Sequence, residues 1–254
     1  MLLGQDNIVA LGDTQSDRHW QHVKNAVPTF NRDFFNDAWL QETNSVVGLA
    51  SAGRGNTQIL SLSGQELVLR HYKRGGYVSK VSEDRYLWTG LDAARPFHEL
   101  SILAHLNTLM LPVAKPYGAE VIRNGASYSG SLLTYRLPGL TLAEAFVSDA
   151  MTPDMWHQVG TTIALFHEHG ICHADLNAHN ILVLTNRDTI DESSVSLIDF
   201  DRASIRDPEQ TDWQHKTVYR LQRSLLKIAD KNRLGLLEIA WQTVLDGVHD
   251  KSRV

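Results

Sequence analysis

Apolar residues form short runs through the first half of the chain and recur at helical spacing through the second. Val46-Val47-Gly48-Leu49 leads through Ala52-Gly53-Arg54-Gly55-Asn56-Thr57 to Ile59-Leu60-Ser61-Leu62, which predicts strand, glycine turn, strand. Ser63-Gly64 makes a second turn, and Glu66 to Tyr72 reads as a third strand. From Pro96 to Met110 the apolar positions 97, 100, 103, 106 and 109–110 have helical spacing, with proline suited to a first turn. Val113 to Ile122 and Tyr128 to Leu137 predict two more strands, and Pro138-Gly139 ends that pattern. Beyond it, Val159, Ile163 and Phe166 share one face of a helix from Met155 to His169. Two apolar runs, Asn180 to Leu184 and Val195 to Ile198, precede a final helix from about Asp212 to Ile228. The first ~45 residues carry no clear period. The pattern predicts an α+β chain: a strand-rich lobe with one long helix over 1–137, a helical lobe over 138–254, and a hinge near Arg136 to Leu140.

Composition narrows the classes. The chain has 254 residues, 43% of them hydrophobic, enough for a well-buried core. A formal charge of −5 argues against a nucleic-acid partner, which calls for a basic excess. Cys172 is the only cysteine, so no intramolecular disulfide forms, consistent with a reducing compartment. The N-terminal segment lacks a basic start and a signal-peptide core, and no apolar stretch approaches the roughly 18 residues of a spanning helix. The expectation is a soluble protein able to visit a membrane surface.

The densest chemistry lies at His173-Ala174-Asp175-Leu176-Asn177-Ala178-His179-Asn180-Ile181-Leu182, followed by Leu197-Ile198-Asp199-Phe200-Asp201. These segments resemble the kinase catalytic loop, H-x-D-x-x-x-x-N, and the metal-binding D-F-G position. Phosphoryl transfer from ATP needs a carboxylate near the attacking hydroxyl and oxygen ligands that hold Mg²⁺ on the phosphates. Asp175 is placed for the first task, and Asn180 and Asp199 for the second. Upstream, Gly53-Arg54-Gly55 stands where a phosphate-covering loop belongs, though a plain hairpin turn has the same composition. Arg70 takes the place of the usual ATP-positioning lysine and Glu99, on the following helix, that of its ion-pair partner. Arginine keeps the charge and adds a planar fork; Lys73 and Lys80 lie close enough in sequence to compete for the role. Ala174 replaces the arginine that reads a phosphorylated activation loop in many protein kinases, Asp201 replaces the glycine of D-F-G, and no A-P-E follows. The segment that seats a peptide is thus missing, which favours a small acceptor.

Together with Leu69-Arg70-His71-Tyr72-Lys73-Arg74-Gly75-Gly76 and Gly53-Arg54-Gly55-Asn56-Thr57, these motifs resemble the 3-deoxy-D-manno-octulosonic acid (Kdo) kinase family, from about residue 30 to about residue 228. The resemblance implies a two-lobed protein-kinase-like fold truncated after the D-F-G-like motif. It also implies ATP and Mg²⁺, phosphorylation of the 4-hydroxyl of a Kdo sugar on lipid A, and a peripheral place on the cytoplasmic face of the inner membrane. The residues add to it. Lys73, Arg74, Lys80 and Arg85 outnumber Glu83 and Asp84, a cationic patch suited to an anionic glycolipid, or an ordinary solvated loop. Lys216, Arg220, Arg223 and Lys227 recur on the last helix opposite Val218, Leu221, Leu225 and Ile228, a face for an anionic bilayer or for the protein's own core. Another sugar or aminoglycoside-type kinase, a small serine kinase and an ATP-binding scaffold without activity share the central motifs. Zinc chemistry is disfavoured: the histidines at 157, 167, 169, 173 and 179 lack the H-E-x-x-H spacing.

Overall fold

The structure, a computed structural model, describes residues 2–13, 15–49, 57–72, 86–184, 194–230 and 233–250. Gly53, Arg54 and Gly55 of the expected phosphate loop lie outside the described residues, as do Lys73, Arg74, Lys80 and Arg85 of the expected acceptor patch. The fold is α+β. The chain divides into two compact units, Met1–Leu109 with Ala114–Arg136, and Met110–Val113 with Leu137–Val254.

The first unit contains strands β1 (Ile8–Asp13), β2 (Arg18–Val23), β3 (Val46–Leu49), β4 (Thr57–Leu62), β5 (Gln65–His71), β6 (Tyr86–Leu87), β7 (Pro116–Asn124) and β8 (Ser127–Tyr135), with helices α1 (Asp37–Glu42) and α2 (Arg95–Thr108). Its antiparallel sheet runs β1-β2-β7-β8-β5-β4-β3, and β6 pairs with β8. Trp20, Phe34, Phe35, Leu40, Leu60, Leu67, Leu69, Tyr117 and Leu133 form one buried cluster. Leu100, Leu103 and Leu106 bury α2, which packs against β7 and β8. Gly130 on β8 makes room for the start of that helix: a Cβ there would sit 2.6 Å from Pro96 Cγ. The β1–β2 hairpin, unread in the sequence, extends the sheet beyond β7.

The second unit holds β9 (Leu140–Thr141), α3 (Leu142–Val147), α4 (Pro153–Glu168), β10 (Ile171–Cys172), β11 (Ile181–Val183), β12 (Val195–Leu197), β13 (Ser204–Ile205), α5 (Thr211–Ile228) and α6 (Leu234–Val248). Thr152 caps α4 through Oγ1, which accepts from the Met155 N–H at 3.3 Å, with Pro153 in the first turn. α4 and α6 cross with their backbones close: a Cβ on Gly160 would lie 2.0 Å from Val244 O, and one on Gly247 2.2 Å from His157 O. α6 itself lies beyond the reach of the sequence reading. α5 buries Trp213, Thr217, Val218, Leu221 and Leu225, so the apolar face weighed above for a bilayer belongs to the core. Among the described residues no helix is long and apolar enough to cross a membrane.

Candidate active site

The candidate catalytic loop, His173 to Asn180, is held by alternation. Leu176, Ala178 and Asn180 are buried while Asp175 and Asn177 are half-exposed, so the loop is anchored on one side and open on the other. Short turns set its shape: the Leu176 N–H donates to His173 O (3.1 Å) and the Asn180 N–H to Asn177 O (3.0 Å). Asn177 and Asn180 both donate from Nδ2 to the Asp175 carbonyl at 2.9 Å. Beyond the loop, β11 pairs with β12 and β9. The Ile198 N–H donates to Asn180 O at 3.0 Å, which brings the backbone before Asp199 against Asn180. Asn180 commits its Nδ2 to Asp175, so Oδ1 is the atom left to meet a cation.

His173 has no solvent to serve. It is 3% exposed, packs edge-on against Phe200 at 4.8 Å, and meets the Ile198 carbonyl through Nε2 at 2.9 Å. A carbonyl only accepts, so Nε2 carries a proton; burial pushes the pKa below the ordinary imidazole value, which favours the neutral ring. Its work is to tie the loop to the strand that delivers Asp199. Asp199 has φ +65°, in the left-handed region that costs a non-glycine residue about 1 kcal/mol. The sequence draws attention to the loss of glycine at Asp201, but the left-handed turn falls two residues earlier. A side chain kept in such a conformation at a loop of this kind is where a functional constraint is expected.

Asn180 and Asp199 offer hard oxygen ligands, the type Mg²⁺ prefers, and this ion ordinarily completes its octahedron with phosphate oxygens and water. The donor set fits. Among the described residues no three His, Cys, Asp or Glu side chains group as a protein-only metal site.

In the first unit the structure brings Arg70 and Glu99 together. Arg70 Nη2 donates to Glu99 Oε2, and the Tyr72 hydroxyl donates to the same oxygen. Glu99 is 2% exposed and Arg70 24%, so the carboxylate is buried and the guanidinium half-open. Arg70 also stacks over the Tyr72 ring at 4.8 Å. Residues i and i+2 of a strand share a face, which is why Arg70 and Tyr72 converge on one glutamate. Tyr72 was missed in the sequence, although that period would have found it.

Arg220 lies on the exposed basic face of α5, as its spacing predicts, and has a partner the sequence did not show: its Nη1 lies 2.7 Å from Asp175 Oδ1, so it also reaches the candidate catalytic loop. One turn on, Ser224 Oγ accepts from the Ala178 N–H at 3.1 Å. Helix α5 is thereby a wall of the site. It is fastened behind by Thr217, whose Oγ1 is 2.9 Å from His167 Nε2, and by Trp213, edge-on to that imidazole at 5.0 Å. Burial, then the neighbouring His215, lower the pKa of His167 to about 4.

Residues 37–246 match the lipopolysaccharide kinase (Kdo/WaaP) family. Among relatives named 3-deoxy-D-manno-octulosonic acid kinase, that of Mannheimia succiniciproducens is 36% identical over 219 residues, 84% of this chain and 89% of its own. That of Stenotrophomonas maltophilia is 41% identical over 182 residues, 71% and 70% of the two chains. That of Photobacterium profundum is 34% identical over 214 residues, 84% and 87%.

Proposed function

The chain belongs to the lipopolysaccharide kinase (Kdo/WaaP) family, and we propose that it transfers the γ-phosphoryl group of ATP to the 4-hydroxyl of a Kdo residue on Kdo-lipid A. The observation that carries this reading is the shared name of relatives 34–41% identical, Kdo kinase, over most of their length. The site supports it. Asp175, half-exposed on a loop pinned through Leu176, Ala178 and His173, takes the proton of the sugar hydroxyl. As that oxygen bonds to the γ-phosphorus, the bond to the β-phosphate oxygen breaks and ADP leaves. Arg70, held by Glu99 and Tyr72, presents a fixed cation to the ATP phosphates; Gly53, Arg54 and Gly55 are assigned to those phosphates on sequence alone. Asn180 and Asp199 hold Mg²⁺, which when bound neutralises phosphate charge.

Lys73, Arg74, Lys80 and Arg85 are assigned to the anionic glycolipid head on sequence alone. Contact with the inner-membrane surface is assigned to charge rather than insertion, because α5 turns its apolar face inward and leaves Lys216, Arg223 and Lys227 exposed. The test is ATP turnover with and without Kdo-lipid A, with the phosphorylated position located by NMR. ADP release indifferent to the glycolipid, or phosphate on another hydroxyl, would remove the reading.

A further inference from the structure

The Arg220–Asp175 pair calls for an explanation beyond stability. Its side chains are 54% and 47% exposed, and a pair that open contributes at most about 1 kcal/mol. Yet the helix that carries Arg220 is set with care. Leu221 and Leu225 are fully buried, Thr217 bonds His167, and Ser224 receives the Ala178 N–H, so Arg220 stands on a fixed turn beside the loop. Only Nη1 is engaged: among the described residues Nε and Nη2 have no partner. A guanidinium offers a planar fork of donors that matches a carboxylate with two parallel bonds. One terminal nitrogen rests on the catalytic carboxylate, while the remaining donors of a half-exposed side chain are unspent.

We propose that Arg220 binds the carboxylate of the acceptor and makes the enzyme specific for an acid sugar. This rests on the Kdo reading above and deepens it. In Kdo the carboxyl group is borne by C2 and the reacting hydroxyl by C4, positions one ring carbon apart. A cation touching the base at one nitrogen and the carboxylate through the others therefore sets the distance between the fixed acid group and the hydroxyl presented to Asp175. Lys216, one turn before Arg220 and exposed, adds to the positive charge an acidic acceptor meets. A neutral sugar would find no partner for the guanidinium.

The experiment compares Kdo-lipid A with the same glycolipid whose Kdo carboxyl is converted to the primary carboxamide. Wild-type, Arg220→Ala, Arg220→Gln and Arg220→Lys proteins are assayed on both, after circular dichroism and thermal melting show each variant folded. Wild-type protein should prefer the acid by about 10- to 100-fold in kcat/KM, the worth of a charge-assisted pair. Arg220→Ala and Arg220→Gln should abolish that preference, chiefly by raising KM for the acid acceptor, with the ATP KM nearly unchanged. Arg220→Lys should recover part of it, having the charge without the fork. If the acid preference survives Arg220→Ala while kcat falls alike on both acceptors, Arg220 only braces Asp175 and the inference is overturned alone. If wild-type protein phosphorylates neither acceptor, the Kdo reading falls and the inference falls with it.

Discussion

Acidification should loosen the second unit through His167, and the size of the effect follows from its environment. Burial lowers this imidazole from 6.5 to about 4, so between those values the unfolded chain binds a proton that the folded chain refuses. Stability from this residue is complete above about pH 6.5 and is lost as pH falls toward 4. Integrating between pH 7 and pH 4.5 gives a loss of roughly 2–3 kcal/mol from this one group. The perturbation is His167→Gln, which keeps a donor for Thr217 and cannot titrate. It should cost about 1 kcal/mol at pH 7, because the edge-on contact with Trp213 is lost. The variant should then lose roughly 2–3 kcal/mol less than wild type between pH 7 and pH 4.5. Urea unfolding followed by circular dichroism at the two pH values measures the difference, and NMR titration of the His167 ring checks its pKa directly. Buried His173, also lowered in pKa, is present in both proteins and cancels. Equal pH dependence in wild type and variant would refute the reasoning, since the proton would then have no preference for the unfolded chain.

Asp175→Ala should lower kcat by about 10²-fold or more while ATP still binds, measured by turnover and nucleotide titration. Asp199→Asn should raise the Mg²⁺ concentration needed for half-maximal activity; an unchanged Mg²⁺ dependence would show that the metal lies elsewhere. Arg70→Ala should raise the ATP KM and lower kcat together, with Arg70→Lys intermediate; if Lys73→Ala or Lys80→Ala does so instead, the positioning cation is one of those lysines. Gly160→Ala should destabilise by about 2 kcal/mol or more, because its Cβ would stand 2.0 Å from the Val244 carbonyl in the α4–α6 crossing. Gly235→Ala, with nothing within 4 Å of the added carbon, should be neutral or slightly stabilising, and thermal melting separates the two.

Local pattern carried much of this protein. A period near 3.6 marked α2, α4 and α5; compact apolar runs marked β3, β4, β5, β7, β8, β11 and β12, because each such element buries one face of itself. The spacing from Asp175 to Asn180 to Asp199 was legible for the same reason, since one loop and one short hairpin set it. The β1–β2 hairpin was not: of its twelve strand residues only Trp20 is buried, so the alternation a strand shows over a core is absent. α6 blurred its own period, with Leu237, Trp241 and Val244 buried on one side and Leu236 and Ile239 exposed on the other. What the tertiary structure decided is which polar groups meet. A basic residue on a helix face reads alike whether it faces water, lipid or a carboxylate. Arg220 lies 45 positions from Asp175, and only the packing of Trp213, Thr217, Leu221 and Leu225 turns that face toward the catalytic loop. The same holds for Tyr72 and Glu99, 27 positions apart, joined because α2 lies on the sheet that β5 enters. Spacing along the chain sets which groups are available; burial of the faces beside them sets which of those groups come within hydrogen-bonding distance.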